Sequence, residues 1–70
     1  MLNLTVYQLI QKGGNEFIRG DIHRVYVNQD LFNEATGSKV SFNQKTCKFY
    51  IDVKTGKGIV TNRKNRVLFK

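Results

Sequence analysis

In the segment CKFYIDVKTGKGIV, residues 47–60, Lys48, Lys54 and Lys57 surround Tyr50 on both sides of a Thr55-Gly56 turn. The NRKNR segment that follows adds Arg63, Lys64 and Arg66. Cationic side chains neutralise phosphates and release condensed counterions, which favours binding without reading sequence. A tyrosine ring among them offers a base a stacking surface worth roughly 1–3 kcal/mol in single-strand binders. The competing explanation is structural. One face of any small antiparallel sheet is solvated, and lysine with tyrosine is a common way to fill it.

The other chemistry-bearing residues are isolated. His23 is the single histidine and stands near Asp21, but catalysis would need a nucleophile or second acid/base that nothing local supplies. Cys47 is the single cysteine and alternates with Phe49 and Ile51, the pattern of a small buried hydrophobe. One histidine and one cysteine do not make a zinc site within one chain, so neither metal nor cofactor is expected. Gly56-Lys57 lacks the upstream glycine and the following Ser/Thr-to-helix junction of a phosphate loop. Asn3-Leu4-Thr5 matches a glycosylation acceptor that an intracellular chain would not use.

Charge placement says more than total charge. The net charge is +7, yet residues 1–38 set Lys12, Arg19 and Arg24 against Glu16, Asp21, Asp30 and Glu34. Residues 39–70 set nine cations against Asp52 alone, so the basicity belongs to the second half. Such asymmetry points to a polyanionic partner: nucleic acid, anionic lipid or an acidic protein. With 40% hydrophobic residues the chain has the composition of a globular domain, and residues 1–70 are expected to form one. A core this small leaves little margin, and the lone thiol excludes an intrachain disulfide as the staple. No basic stretch precedes the short apolar run of MLNLTVYQLIQKGG, and no window approaches the ~20 apolar residues of a membrane span. A cytoplasmic location is expected.

The elements that must position the cations follow from periodicity. Asn3 is expected to cap a helix over Leu4 to Lys12, stopped by Gly13-Gly14. EFIRGDIHRVYVN, residues 16–28, reads as extended, with Gly20-Asp21 either a hairpin turn or a bulge. Asp30 then caps a short helical turn over residues 31–36 that Gly37 ends. Lys39 to Asn43 alternates and reads as a strand, with a turn at residues 43–45. In the next strand Cys47, Phe49, Ile51 and Val53 point one way, and Lys48, Tyr50, Asp52 and Lys54 the other. Gly56 suits the positive-φ position of the turn, where the Asp52 carboxylate can accept backbone N–H bonds. Gly58 to Thr61 returns, Asn62 to Asn65 turns, and Arg66 to Phe69 makes a last strand at an edge. The fold class is α+β: a small, mainly antiparallel sheet of about four to five strands with one N-terminal helix and a short helical turn near residues 31–36. Controlled pairing of the edge strand would give a homodimer.

The order in QLIQKGGNEFIRGDIHRVYVN (helix, glycine, strand, then a glycine shortly before a histidine) resembles the opening of HicA-type messenger-RNA-cleaving toxins. Those toxins carry a Gly-Ser-His motif on a double-stranded-RNA-binding-like fold. Here Asp21 and Ile22 separate Gly20 from His23, so the motif is not matched, and the second half lacks the closing helix. The resemblance spans residues 8–28 and implies an RNA-cleaving enzyme with His23 as general acid/base.

The residues themselves favour a non-enzymatic binder of DNA or RNA. Lys48, Lys54, Lys57, Arg63, Lys64 and Arg66 would hold phosphates, and Tyr50 would stack or pack on sugar. The alternative is a protein–protein module, an accessory or inhibitor protein of phage or mobile-element type, docking its basic face on an acidic partner.

Overall fold

The computed structural model describes residues 2–70. The elements in chain order are α1 (Val6–Gln11), β1 (Asn15–Arg19), β2 (Ile22–Val27), α2 (Gln29–Thr36), β3 (Cys47–Asp52), β4 (Lys57–Asn62) and β5 (Val67–Phe69). The five strands form one antiparallel sheet in the order β1-β2-β3-β4-β5, the expected α+β class. Three of the four strand pairs are hairpins, because each turn carries residues that tolerate tight reversal. Gly20-Asp21 is a hairpin loop and not a bulge, pairing Arg19 with Ile22. At the β3–β4 turn, Gly56 takes φ 71° and donates to Asp52 O at 2.7 Å. A side chain there would force an unfavourable left-handed conformation. The fourth pair, β2 with β3, is joined by α2 and residues 37–46.

Register decides which side chains share a face. Val25 pairs with Ile51, and Val27 with Phe49, which pairs with Val60. These residues meet Leu9 of α1 and Leu31, Phe32 and Ala35 of α2 in the core. Both helices therefore cover the same side of the sheet, and the other side is left open.

Four details differ from the sequence expectation. Thr5, not Asn3, caps α1: Gln8 N donates to Thr5 Oγ1 at 3.1 Å while Thr5 N donates to Gln8 Oε1 at 2.9 Å. This reciprocal box satisfies two otherwise orphaned donors and shortens the helix to Val6–Gln11. Asn3 instead ties the N-terminal segment to the end of α2, donating from Nδ2 to Glu34 O and from its backbone N to Ala35 O. Asn28, not Asp30, caps α2 by accepting from Leu31 N at 2.8 Å; Asp30 lies in the first turn, where the helix dipole favours a carboxylate. Finally, Lys39 to Asn43 is not a strand. The Asn33 side chain accepts from Val40 N at 3.0 Å and donates to Val40 O at 3.1 Å, and Gln29 Oε1 accepts from Phe42 N. Amides of α2 do for this segment what a neighbouring strand would do, while Val40 and Phe42 still pack on the core.

The expected glycine stop after α1 is a Schellman arrangement, with Gly13 N donating to Ile10 O and Gly14 N to Leu9 O. Gly58 has a different reason. On the core face opposite Ile51, a Cβ at this position would lie 2.7 Å from two Phe32 ring carbons and 2.6 Å from Thr36 Cγ2. Gly58→Ala is expected to cost about 1–3 kcal/mol through overpacking. The readout is a lowered midpoint in urea unfolding; an unchanged midpoint would mean that the Phe32 ring can yield.

Candidate nucleic-acid interface

Alternation along β1 to β5 puts Phe17, Arg19, Ile22, Arg24, Tyr26, Lys48, Tyr50, Asp52, Lys57 and Val67 on the open side. Cross-strand pairs confirm the set: Phe17 opposite Arg24, Tyr50 opposite both Tyr26 and Ile59, and Thr61 opposite both Lys48 and Val67. Three aromatic rings step across β1, β2 and β3. Phe17 meets Tyr26 edge-on at 6.2 Å between centroids, and Tyr26 meets Tyr50 at 5.4 Å.

Tyr50 departs from its expected role. It lies on the open side but is only 6% exposed, its ring beneath the Arg24 guanidinium, whose Cζ is 4.4 Å from the ring centroid. The aromatic surface actually available is half-buried Tyr26 together with Phe17, which is 39% exposed. Arg24 Nη1 also donates to Tyr26 Oη at 3.3 Å. That hydrogen bond, against a burial penalty and aided by the nearby tyrosine hydroxyls and the Asp52 carboxylate, raises the Arg24 pKa further above its already high value. Arg24 is thus a cation held over the Tyr50 ring and tied to the Tyr26 hydroxyl.

The cations named from sequence fall into two groups at opposite ends of the β3–β4 hairpin. Lys54 and Lys57 stand at the β3–β4 turn; Arg63, Lys64 and Arg66 stand at the β4–β5 turn, beside the start of β3. Five residue steps along β4 put about 17 Å between them. Lys48, exposed on the open side near the second group, joins that turn to the aromatic row. All six are exposed.

Both turns are shaped by short polar side chains, which leaves the cations outside the turn wiring. Asp52 Oδ1 accepts from Lys54 N at 2.9 Å and Thr55 N at 3.3 Å, as expected. Asn62 Oδ1 accepts from Lys64 N at 2.9 Å and Arg66 N at 3.0 Å, and Asn65 occupies φ 61°, a conformation asparagine tolerates. Arg63 reaches Lys45 O at 3.4 Å, and a cleft of about 440 Å³ opens between Thr46, Asn62 and the three cations of the turn.

The acids are elsewhere or occupied. Among the described residues the ion pairs are Lys12–Glu34 at 3.4 Å and His23–Glu16 at 2.5 Å, neither of them using a cation of the second half. His23 therefore faces Glu16 across the β1–β2 hairpin, not Asp21, on the helix-covered side. Cys47 is half-buried against the core. No cluster of metal-ligating side chains, and no helix long and apolar enough to cross a membrane, occurs among the described residues.

Arg24, Tyr26 and Phe17 are the residues of the candidate interface that sequence reasoning missed. The signal was the alternation of Phe17 and Arg19, then Ile22, Arg24 and Tyr26, once Gly20-Asp21 is taken as a two-residue loop. Comparison with protein-family models, curated proteins and solved structures finds no match to this chain, so the interface is read from its geometry.

Proposed function

We propose that this chain is a non-enzymatic nucleic-acid-binding protein that holds DNA or RNA on the open side of its sheet, mainly through phosphates. One observation carries the reading: Arg24, Lys48 and Lys57 stand on one sheet face with Lys54, Arg63, Lys64 and Arg66 at its two ends, none of them in an ion pair among the described residues, while Asp52, the acid on that face, is held in turn wiring. Lys48 and Lys57 on the face, Arg24 beside the aromatic row, and Lys54, Arg63, Lys64 and Arg66 at its two ends form a track along which a sugar-phosphate backbone can run. Neither helix carries a cation, since α1 is VYQLIQ and α2 is QDLFNEAT, so no basic helix is available to read a major groove.

Counterion release sets the test. With about five phosphates engaged, log affinity for a mixed-sequence oligonucleotide falls against log salt with a slope of roughly −4. Fluorescence anisotropy at several salt concentrations measures it, and a flat response contradicts the proposal. Gentle low-salt purification should likewise yield a high 260/280 nm absorbance ratio that a high-salt wash removes.

A second reading is a protein–protein module that docks this basic face on an acidic partner, with β1 as a further contact. This edge strand is exposed along its whole length, with Ile18 at 64%, and offers a partner strand its free edge. Recovery of one stoichiometric protein after nuclease treatment would favour it.

A further inference from the structure

The basic track explains attraction to any polyanion, but it does not explain the apolar surface among the cations. Phe17 is 39%, Ile22 40% and Val67 48% exposed, all on the same side as Lys48 and Arg24. Duplex nucleic acid presents a charged backbone with its bases stacked inside, and gives such side chains nothing flat to cover. An unpaired base has an exposed π face that does.

The open side also has a recess for one. Between β2 and β5 lies a depression of about 400 Å³, within the roughly 300–1,000 Å³ of small-molecule sites. Tyr26, Tyr50 and Val67 line it, with Arg24 and Lys48 as cations and Thr61 and Asn65 as polar groups. The elements that make this lining are strands and one asparagine-wired turn, so the recess is preformed. An aromatic wall next to two cations matches the two halves of a nucleotide, base and phosphate.

We infer that this recess seats an unpaired nucleotide, so that the chain prefers single-stranded to double-stranded nucleic acid; the inference rests on the nucleic-acid reading above. The base covers Tyr26 and the neighbouring apolar surface, and Arg24 and Lys48 hold the adjoining phosphates. The row from Tyr26 to Phe17 continues the platform toward β1 for a following base. A second copy of this strongly basic chain is a poor occupant, because it would bring like charges onto the same face.

The test is fluorescence anisotropy with an end-labelled oligothymidylate and a labelled duplex of equal length, at one moderate salt concentration. The single strand is expected to bind at least about tenfold more tightly. Tyr26→Ala should weaken single-strand binding about 5- to 100-fold, the range of one lost base stack, and duplex binding by a clearly smaller factor, since the duplex loses only the support of Arg24. Should Tyr26→Ala fail to fold, as judged by circular dichroism, Val67→Ala, on the exposed wall of the same recess, supplies the comparison. Equal binding of strand and duplex, with a steep salt response, overturns this inference and leaves the phosphate reading standing. A single-strand preference that neither substitution changes also overturns it, because the preference would then arise elsewhere on the molecule. Binding to neither probe removes both.

Discussion

Replacement of Phe32 by alanine is expected to destabilise the fold by about 3–5 kcal/mol, the range for emptying a large aromatic site in a packed core. Phe32 is fully buried on α2, and its ring contacts Phe49 of β3 at 5.7 Å and Phe69 of β5 at 6.0 Å between centroids. It also covers Gly58 of β4. One side chain thus joins the second helix to three strands, including the short C-terminal one. A domain of this size has roughly 4–10 kcal/mol of total stability at 0.05–0.15 kcal/mol per residue. Loss of Phe32 therefore removes much of the margin, and the β5 edge should open first because Phe69 loses its partner. Urea unfolding followed by circular dichroism measures the effect. A loss below about 1 kcal/mol would mean that the helix side is not the packed layer described above.

Reversal of two open-face charges, Lys48→Glu with Lys57→Glu, is expected to weaken oligonucleotide binding by about tenfold or more at each site. It should also flatten the salt slope by about 2 units, since each lysine accounts for one displaced phosphate counterion. Both side chains are exposed and belong to no ion pair among the described residues, so the fold should persist. The informative control is Lys12→Glu on the helix side, where Lys12 pairs with Glu34. That substitution leaves net charge lower but the open face intact, and it should change affinity far less than either open-face reversal. If Lys12→Glu weakens binding as much, attraction depends on total charge and the face has no special standing.

Much of the architecture was legible in sequence, for identifiable reasons. The β3–β4 hairpin combines strict alternation with a glycine at the turn, so local chemistry and burial agree. Gly13 and Gly37 stop their helices because a left-handed residue is needed there. The helix caps were misplaced because Asn3, Thr5, Asn28 and Asp30 are all competent caps, and tertiary bonds choose among them. Asn3 is drawn away to the end of α2. Lys39 to Asn43 has a strand's burial alternation, yet its backbone partners are side chains of Asn33 and Gln29, which periodicity cannot reveal.

The candidate interface was legible in its charges and not in its aromatic part. Lysines and arginines concentrate in a stretch that any reader of the sequence sees. The placement of Arg24 over Tyr50 depends on pairing β2 with β3 across some two dozen residues, and on whether Gly20-Asp21 is a loop or a bulge. A bulge would have reversed the faces of one strand and sent Phe17 to the opposite side from Arg24. Tyr50 consequently becomes a buried member of the aromatic row, and the exposed stacking surface passes to Tyr26 and Phe17.

The most direct test of the central claim is a titration of isotope-labelled protein with a short single-stranded oligonucleotide, followed by methyl and aromatic NMR resonances. The two sides of the sheet carry separate reporters: Ile59, Val67 and Tyr26 on the open side, and Ile51, Val60 and Leu9 in the core. Binding on the open side predicts that the first set shifts progressively with added oligonucleotide while the second stays nearly fixed. Shifts confined to α1, α2 and the core reporters, or no shifts at low salt, would contradict it.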